Sequence, residues 1–504
     1  MNRLKPSSRI TSSRISNTTV IFLFAAPIVV IVYLSYIFNP AHIDNFFMYI
    51  IQLIADAISI TVLLSLWLTI LMDVIITQHH RAHEDNSESY AFEKEPTIDV
   101  FITVAGEPIE IVRETAIAAV NMHYPHNTFL LDDGHSSEIK KLAEELNATY
   151  TTRKDNLFAK SGNLNNGLKY SKSDFFAIFD ADQVPALDFI EKLLPYMADP
   201  KLAMVQSPQS YRNIDKFIAS GTAQAQEIFY KYVCPAKNIS NSAFCVGTNM
   251  IFRRVAIDEI GGIAQIGHSE DVWTSLLLHE KGWKTLFVNE ILAQGKAPET
   301  ISSYFKQQLR WAKGGMSMLF LQNPLFSPTL SLDQKIQYFS SNFYYLVGFS
   351  MLAYLISPLA YLLFGIKAIQ TESGLVWLIH YLPYFGLYYS LSWLLLGKIY
   401  ISTLATALAS FYPYILAFFS IVFGTKLQWT ATTSRGSSKI SIMKWIWPHV
   451  FFIILTVFSF IVGWYNPSAN FWATLYNTGW AGVNMYLLII FVLAEYRESQ
   501  KIQA

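Results

Sequence analysis

The chain has 504 residues, of which 52% are hydrophobic, 15% are aromatic and only 15% are charged, and its formal net charge is zero. Because about a quarter of the residues in a typical soluble domain are charged, this composition excludes a wholly soluble protein. The balanced charge argues against nucleic acid as a partner. The charge deficit is concentrated in the two flanks of the chain, so we predict an integral membrane protein with a soluble insert.

The N-terminal region, residues 1–80, contains two apolar segments. The first, about Thr19 to Phe38, follows four basic residues and lacks a small-residue cleavage site. Since it is about 20 residues long, we predict a retained membrane helix and not a signal peptide. The second runs from about Phe47 to Ile76 and is followed by histidines and an arginine. Basic residues before the first helix and after the second predict that both ends, and hence the insert, are cytoplasmic.

Residues 95–323 have a different pattern, in which short apolar runs alternate with helix-like stretches. The apolar runs are Ile98–Val104, Thr128–Leu131, Phe175–Phe179 and Ala203–Gln206. Strands that alternate with helices predict an α/β domain whose mostly parallel sheet is covered on both faces. Ligands bind such sheets at the carboxyl ends of the strands. Asp132-Asp133-Gly134 and Asp180-Ala181-Asp182 follow two of these runs.

The carboxylates at these strand ends predict a site for a divalent cation. Asp180 and Asp182 are two residues apart, and carboxylates with this spacing on a turn can hold Mg²⁺ together with substrate phosphates. For these two residues alone, an ordinary polar strand end is the better explanation. The second pair, Asp132 and Asp133, at the neighbouring strand end favours the cation site.

The triplet Ser269-Glu270-Asp271 precedes an amphipathic helix and has two explanations. One is helix capping, which these residue types suit. The other is that a carboxylate at the helix start faces the cation site and accepts a proton from a substrate hydroxyl. The insert also contains both cysteines, Cys234 and Cys245. A disulfide is possible by number, but a reduced pair is favoured in a cytoplasmic domain.

Five apolar stretches follow the insert. They are about Phe339–Phe364, Val376–Leu396, Ile401–Phe423, Trp445–Trp464 and Trp480–Ala494. Residues 424–444 carry four basic and no acidic side chains, so this loop would lie outside if Ile401–Phe423 crossed the membrane. That stretch is amphipathic, and we predict that it lies along the cytoplasmic surface. The prediction is two membrane helices in 324–398, an interface helix and loop in 400–444, and two membrane helices in 445–496.

Four motifs in order resemble those of the processive family 2 glycosyltransferases, which include cellulose, hyaluronan and chitin synthases. They are Asp132-Asp133-Gly134, Asp180-Ala181-Asp182, Ser269-Glu270-Asp271 and Gln307-Gln308-Leu309-Arg310-Trp311. Further similarities are Lys160–Asn165, Phe244–Asn249 and Ala297–Thr300. The resemblance covers Val104 to about Ser317. It implies a GT-A-type nucleotide-sugar domain inserted between two membrane helices before it and four after it.

The resemblance implies a role for each matching residue. Asp271 is expected to be the catalytic base, and Asp180 and Asp182 to hold Mg²⁺ or Mn²⁺. The expected nucleotide-sugar contacts are Glu107, Asp132, Asp133, Lys160, Asn163, Asp180, Asp182, Gln307 and Arg310. The expected acceptor contacts are Trp311, Cys245, Gly247, Thr248 and Glu270. An indole face suits the C–H surface of a sugar ring, although anchoring at the membrane interface is the alternative explanation for Trp311.

The segment Gln428–Gly436 resembles the gating loop of cellulose synthases, which closes over the nucleotide. Thr432, Thr433 and Arg435 are the expected contacts there, and an apparent extra residue leaves open which threonine faces the diphosphate. Two departures from the family pattern stand out. Ala105 occupies a position where many relatives have a tyrosine that packs on uracil. Ten residues follow Ala494, so we expect no C-terminal extension that binds a cyclic dinucleotide.

The expected function is a processive synthase in the plasma membrane that uses a UDP-sugar to extend a polysaccharide and translocates it across the bilayer. UDP-glucose and a β-linked capsular or matrix glucan are favoured, with UDP-N-acetylglucosamine as an alternative donor. Two competing hypotheses are a non-processive transferase that acts on a lipid carrier and a transporter with a regulatory cytosolic domain. The residues do not determine the donor sugar, the linkage, accessory subunits or the oligomeric state.

Overall fold

The computed structural model describes residues 15–81, 90–267, 269–370, 373–425, 439–467 and 470–501. A central α/β domain lies between two groups of long helices. The helices before it are α1 (Asn17–Ile37) and α2 (Phe46–Arg81). The helices after it are α12 (Leu332–Phe343), α13 (Val347–Phe364), α14 (Gly374–Leu396), α15 (Ile401–Ala409), α16 (Phe411–Val422), α17 (Lys439–Tyr465) and α18 (Phe471–Lys501).

The central domain alternates strands and helices. Its strands are β1 (Ile98–Val104), β2 (Asn127–Asp132), β3 (Thr149–Thr151), β4 (Phe175–Asp180), β5 (Val184–Pro185), β6 (Leu202–Gln206), β7 (Met250–Arg253), β8 (Lys284–Phe287) and β9 (Ala293–Gln294). Its helices are α3 (Ile109–Val120), α4 (Ser137–Glu145), α5 (Ala159–Leu168), α6 (Phe189–Leu193), α7 (Phe217–Ile228), α8 (Cys234–Ala236), α9 (Arg254–Glu259), α10 (Glu270–Glu280) and α11 (Ile301–Leu321).

The described strands form a seven-stranded sheet in the order β3-β2-β1-β4-β7-β6-β8, beside a small sheet of β5 and β9. Within the larger sheet, β7 is antiparallel to β4 and β6, and the other neighbours are parallel. The predicted α/β fold with a mostly parallel sheet is therefore confirmed. The strands that the sequence did not reveal, such as β3 and β7, have only three or four residues, too few for a clear periodic pattern.

The sheet is buried on both faces, which explains the continuous apolar runs of its strands. Successive side chains of a strand point to opposite faces. Val100 and Ile102 of β1 accordingly belong to one buried cluster with Val112 of α3, whereas Phe101 packs on Phe176 in a cluster on the opposite face. The core thus holds β1, β2 and β4 rigidly beside one another.

The strand register determines where the acidic residues meet. Val104 at the end of β1 pairs with Asp132 of β2, and Thr103 pairs with Asp180 of β4. The carboxyl ends of these parallel strands therefore lie at one edge of the sheet, the usual ligand-binding edge of such folds.

Within the described residues, six helical segments are long and apolar enough to cross a membrane. They are Asn17–Ile37, Phe46–Ile76, Leu332–Phe364, Ile401–Val422, Ile442–Tyr465 and Phe471–Ala494. The predicted layout of two such segments before the domain and four after it is confirmed. The chain is thus a multi-pass membrane protein. One of the four segments after the domain differs from the prediction. Ile401–Val422 is among the six membrane-length apolar segments, whereas Gly374–Leu396 is not.

This difference has a compositional cause. Helix α14 contains a histidine, a proline and several tyrosines, which lower its mean hydropathy, yet it packs in the bundle with Tyr384 stacked 4.0 Å from Tyr33 of α1. The Ile401–Val422 segment is two helices, α15 and α16, which meet at Ser410. Its predicted position along the membrane surface stays a prediction.

Candidate active site

A cavity of about 470 Å³ opens at the carboxyl edge of the sheet, bounded also by the first turns of α5 and α10 and by α11. It brings together most of the residues singled out by the sequence. The expected donor contacts that line it are Glu107, Asp133, Lys160, Asn163, Asp180, Asp182, Gln307 and Arg310. The expected base and acceptor contacts that line it are Asp271, Gly247, Glu270 and Trp311.

Three predicted site residues lie behind the cavity wall. Asp132 is fully buried, and its carboxylate accepts hydrogen bonds from the backbone amides of Gly134 and Ser136, both at 2.7 Å. Cys245 is buried, and its Sγ lies 2.9 Å from the sulfur of Met250. Neither side chain reaches the cavity, so their contacts to the substrate are not evident in this structure.

Thr248, the third of these residues, does not line the cavity but contacts a residue that does. Its buried hydroxyl accepts a hydrogen bond from the backbone amide of Asp180 at 3.0 Å. It thereby positions the first carboxylate of the Asp-Ala-Asp motif. Both cysteines of the domain are buried and free, in agreement with the favoured reduced state. The predicted gating-loop residues Thr432, Thr433 and Arg435 lie outside the described residues.

Asp133 lines the cavity with its carboxylate already paired. Arg153 donates to both carboxylate oxygens, from Nε at 2.7 Å and from Nη2 at 2.6 Å. The same guanidinium donates to the backbone carbonyls of Leu157 at 2.6 Å and Ala159 at 2.8 Å. A bidentate pair of this kind is geometrically specific. Asp133 and Arg153 together hold the turn that leads into α5.

Lys160, in the first turn of α5, connects two sides of the cavity. Its ammonium donates to the carboxylate of Asp180 and to the carbonyl of Gly247, the latter at 2.7 Å. Burial lowers the pKa of Lys160, but the negative charges of Asp180 and Glu270 outweigh burial and raise the pKa overall. The lysine is therefore a fixed positive charge in the cavity, suited to bind an anionic group.

Three carboxylates crowd the edge of the sheet beside this lysine. Burial raises the pKa of Asp182 to about 7, and the charges of Asp180 and Glu107 add to the rise. Burial also raises the pKa of Glu107, which is partly offset by the amide of Ala105, whose nitrogen lies 2.6 Å from the Glu107 carboxylate. Carboxylates that repel each other in this way are stabilised in their ionised form by a cation.

The donor set fits a divalent metal that is only partly coordinated by protein. In the described part of the chain, no group of three or more histidine, cysteine or acidic side chains forms a complete metal site. Asp180 and Asp182 offer hard oxygen ligands on one turn. Mg²⁺ commonly takes one or two carboxylates and completes its coordination with water and substrate phosphates. The arrangement thus suits a metal that arrives with a phosphorylated substrate.

Asp271 lies in the first turn of α10 and lines the same cavity as the acidic edge of the sheet. Its Oδ1 accepts a hydrogen bond from the amide of Val272 at 2.8 Å. Burial raises the pKa of Asp271 to about 7, and the neighbouring charge of Glu270 raises it further. Ser269 precedes the helix but makes no side-chain capping bond. The Ser269 side chain therefore does not cap the helix, and the role of Asp271 as a general base stays a prediction, which its raised pKa suits.

Gly247 leaves room for a substrate beside Asp271. Its φ is +94°, in the region that favours glycine. A Cβ atom there would lie 3.3 Å from Oδ2 of Asp271. Any larger residue would both strain the backbone and crowd the carboxylate that faces the cavity.

Helix α11 presents the Gln-x-x-Arg-Trp motif to the cavity. Thr300 and Ser303 form a capping box that begins this helix. Positions i, i+3 and i+4 share one helix face, so Gln307, Arg310 and Trp311 line the cavity together. The intervening Gln308 points away and accepts a hydrogen bond from Tyr414 of α16 at 2.9 Å.

The sequence interpretation missed several residues that line the cavity. They are Gln183, Gln209, Tyr211 and Lys296. The Tyr211 hydroxyl lies 3.1 Å from Gln209 Oε1 and 3.0 Å from Gln226 Oε1, which holds the ring in place. Gln209 and Tyr211 follow the carboxyl end of β6, and Gln183 follows Asp182. The rule that located the acidic motifs could have found them.

The chain matches known proteins over the same region. The family described as glycosyl transferase family group 2 matches residues 175–423. A cellulose synthase catalytic subunit (UDP-forming) of Pseudomonas fluorescens (strain SBW25) is 34% identical over 295 residues, which are 56% of this chain and 40% of that protein. Cellulose synthase 1 catalytic subunit (UDP-forming) of Komagataeibacter xylinus is 34% identical over 279 residues, 54% of this chain and 37% of that protein.

These matches support a cellulose synthase-like glycosyltransferase of family 2. A longer match, to cellulose synthase 2 of Novacetimonas hansenii, is 28% identical and covers 81% of this chain but 27% of that protein. The chain thus spans at most 40% of the length of these relatives.

A solved structure supports the fold of this chain. The mannosyltransferase PcManGT from Pyrobaculum calidifontis, in complex with GDP-Man and Mn²⁺, is 14% identical, with a TM-score of 0.51 over 75% of this chain and 100% of that one. At this identity the likeness concerns the fold alone, and it agrees with the GT-A-type domain expected from the motifs. GT-A enzymes of family 2 generally use a divalent metal, which the acidic edge of the cavity fits.

Proposed function

We propose that the protein is a processive polysaccharide synthase. It transfers a sugar, most favourably glucose from UDP-glucose, with inversion to the end of a growing β-linked polymer and passes that polymer across the plasma membrane. One observation carries this proposal. The acidic edge of the sheet, the Asp271 carboxylate and the Gln307–Trp311 face of α11 line a common cavity, and the chain continues from α11 into membrane-length helices.

The donor occupies the end of the cavity that contains Lys160, Asp180 and Asp182. Asp180 and Asp182 would hold Mg²⁺ or Mn²⁺, and the metal would supply positive charge to neutralise the diphosphate. Lys160 is the positive charge already held beside Asp180, and the Arg310 guanidinium on α11 pairs with phosphate oxygens. Glu107, Asp133 and Asn163 line the donor end of the same cavity.

Asp271 acts as the base. Its carboxylate takes the proton of the acceptor hydroxyl while that oxygen bonds to the anomeric carbon of the donor. The bond from the anomeric carbon to the phosphate oxygen breaks on the opposite face, so the configuration inverts and UDP leaves. The raised pKa of about 7 makes Asp271 a stronger base than an ordinary aspartate and keeps it largely ionised just above that pH.

The acceptor chain lies against Trp311 and continues into the membrane. A second cavity, of about 680 Å³, lies among the membrane helices at the ends that are distant from the catalytic domain. Its lining includes Trp377, which stacks 4.8 Å from Tyr381 and 5.5 Å from Tyr476. Aromatic faces bind sugar rings too weakly to stall a moving chain. The lining of this second cavity therefore supports passage of a polysaccharide through it.

The cytoplasmic position of the domain and the surface position of α15 and α16 are part of the same proposal. Ser402 and Thr403 of α15 donate hydrogen bonds to Gln224 of α7, at 3.1 Å and 3.2 Å. Tyr414 of α16 contacts Gln308 of α11. These polar contacts to the catalytic domain support a helix pair on the same side of the membrane as that domain.

Trypsin tests that topology. Arg435 should be cleaved only when the protease acts from the cytoplasmic face, and Mg²⁺ with UDP should slow the cleavage. Cleavage from outside would mean that the Ile401–Val422 segment crosses the bilayer.

To test the function, purified membranes are supplied with a panel of radiolabelled UDP-sugars. The glycosidic linkages of the product are then analysed. We expect glucose to enter a long β-linked polymer that appears outside sealed right-side-out vesicles loaded with UDP-glucose. Incorporation of N-acetylglucosamine alone would overturn the donor assignment. A single sugar on an extractable lipid would identify a non-processive transferase.

A further inference from the structure

The rim of the active-site cavity carries an aromatic ring that no catalytic role uses. Among the described residues that line this cavity, the aromatic ones are Phe158, Tyr211 and Trp311. Phe158 is 58% exposed although it is large and apolar. It lies directly before α5, two residues from Lys160. Its exposed apolar surface would be removed from water by a ligand that stacks on the ring, which is favourable.

The backbone of this residue is strained in a way that fixes the ring at the rim. Phe158 has φ +60° and Ala159 has φ +43°, both in the left-handed region that non-glycine residues rarely adopt. The hydroxyl of Ser161 donates to the Phe158 carbonyl at 2.8 Å. Arg153, itself paired with Asp133, holds the carbonyls on either side, those of Leu157 and Ala159. Backbone strain that neighbours enforce in this way is characteristic of functional positions.

The contacts between residues that line the cavity indicate the order in which the parts of the two substrates lie along it. Asp271 lies beside Gly247, whose carbonyl binds Lys160, which in turn binds Asp180. The acceptor end is therefore at Asp271 and the diphosphate is at Lys160. Phe158, two residues before Lys160 in the chain, lies at the remaining end of the cavity.

Ala105 and Phe158 flank the same ion pair. The amide of Asp133 donates to the carbonyl of Val104 at 2.9 Å, which places Ala105 next to the Asp133–Arg153 pair. Arg153 in turn binds the carbonyls on either side of Phe158. Ala105 contributes only a methyl group to the lining, which leaves room for a flat group in this part of the cavity. The other two aromatic rings are engaged elsewhere, since Tyr211 bonds to Gln209 and Gln226 and Trp311 lies on α11.

We propose that Phe158 stacks on the nucleobase of the donor and is the principal base-binding residue of this protein. The inference rests on the proposed use of a UDP-sugar and identifies which side chain binds its uracil. Stacking of a base on an aromatic side chain is favourable for any base. Discrimination between bases then falls to polar groups at the same end of the cavity, such as Asp133.

The test measures binding by titration calorimetry of the purified full chain in detergent with saturating Mg²⁺. The probes are UDP and inorganic pyrophosphate, which share the diphosphate and differ in the nucleoside. Phe158→Ala should weaken UDP binding by roughly 5- to 100-fold, the range of a lost base–aromatic stack, and leave pyrophosphate binding unchanged. Phe158→Tyr should retain the affinity for UDP. The matched control is Leu157→Ala, because Leu157 is similarly exposed, at 65%, and does not line the cavity.

A second variant separates the ring from the backbone. Phe158→Gly removes the ring and also relieves the strain of the positive φ, so it keeps the fold if Phe158→Ala loses it. We expect it to weaken UDP binding as much as alanine does. Unchanged UDP affinity in either variant, or an equal loss for UDP and pyrophosphate, would overturn the assignment of Phe158 alone. Failure of the unaltered protein to bind UDP would instead overturn the proposed function, and this inference with it.

Discussion

The ammonium of Lys160 lies 2.7 Å from the carbonyl oxygen of Gly247. The same group pairs with Asp180, so one side chain connects the acidic edge of the sheet to the loop that borders Asp271. Both halves of the proposed reaction, donor binding and acceptor deprotonation, thus depend on a shared positive charge. This arrangement keeps the departing diphosphate and the base at a fixed separation, which favours a single in-line displacement.

The first prediction concerns the acidic pair. Asp180→Asn and Asp182→Asn should each lower sugar incorporation from UDP-glucose by at least about 100-fold, because each removes charge that holds the metal and the diphosphate. EDTA should have the same effect on the unaltered protein. Asp188→Asn is the matched control, since Asp188 pairs with Lys192 on the domain surface, and it should leave the rate unchanged. Activity above a tenth of the wild-type level in both variants would contradict the assigned site.

The second prediction is that Asp271→Asn separates binding from turnover. A base acts mainly in the transition state, so kcat should fall by about 100- to 10,000-fold while the Kd for UDP changes little. Burial raises the pKa of Asp271 to about 7, which means that its ionised form destabilises the folded state. The neutral amide removes this cost, and we expect an unchanged or higher Tm. Loss of UDP binding together with activity would identify a structural residue.

The third prediction is the pH dependence of kcat/KM, which reports ionisation of the free enzyme. Protonated Asp271 cannot accept the hydroxyl proton, and burial raises its pKa to about 7. The value of kcat/KM for the donor at saturating metal should therefore fall about tenfold for each pH unit below that value and level off above it. Initial rates across this range in one ionic strength provide the measurement. A rate that stays constant down to the pKa of an ordinary aspartate would exclude Asp271 as the base.

The fourth prediction addresses Trp311. If its indole stacks on the terminal sugar, Trp311→Ala loses about 1 kcal/mol of contact and lowers kcat/KM roughly fivefold, with shorter polymers. Trp311→Phe should retain most of the activity, and neither change should alter UDP affinity. Product length by size-exclusion chromatography is the decisive readout. Normal polymers from the alanine variant, with reduced insertion into membranes, would favour an interfacial anchor instead.

Local spacing was sufficient to locate the candidate site of this protein. Asp180 and Asp182 follow a strand two residues apart, and the carboxyl ends of parallel strands meet at one edge whatever the rest of the fold does. Gln307, Arg310 and Trp311 are spaced for one helix face. The two apolar flanks predicted the correct number of membrane-length segments before and after the domain. In each case the sequence pattern extends over a few neighbouring residues. The regular geometry of a helix or strand then determines which of their side chains share a face or an edge.

The tertiary structure decided what each acidic or aromatic residue contacts. Adjacent residues diverge, since Asp132 turns inward to backbone amides while Asp133 pairs with Arg153, twenty positions away. Phe158 reaches the cavity only because the strained turn before α5 brings it there. Sequence alone cannot separate such cases, because hydrogen-bond partners and burial depend on segments that are distant in the chain and adjacent only after folding.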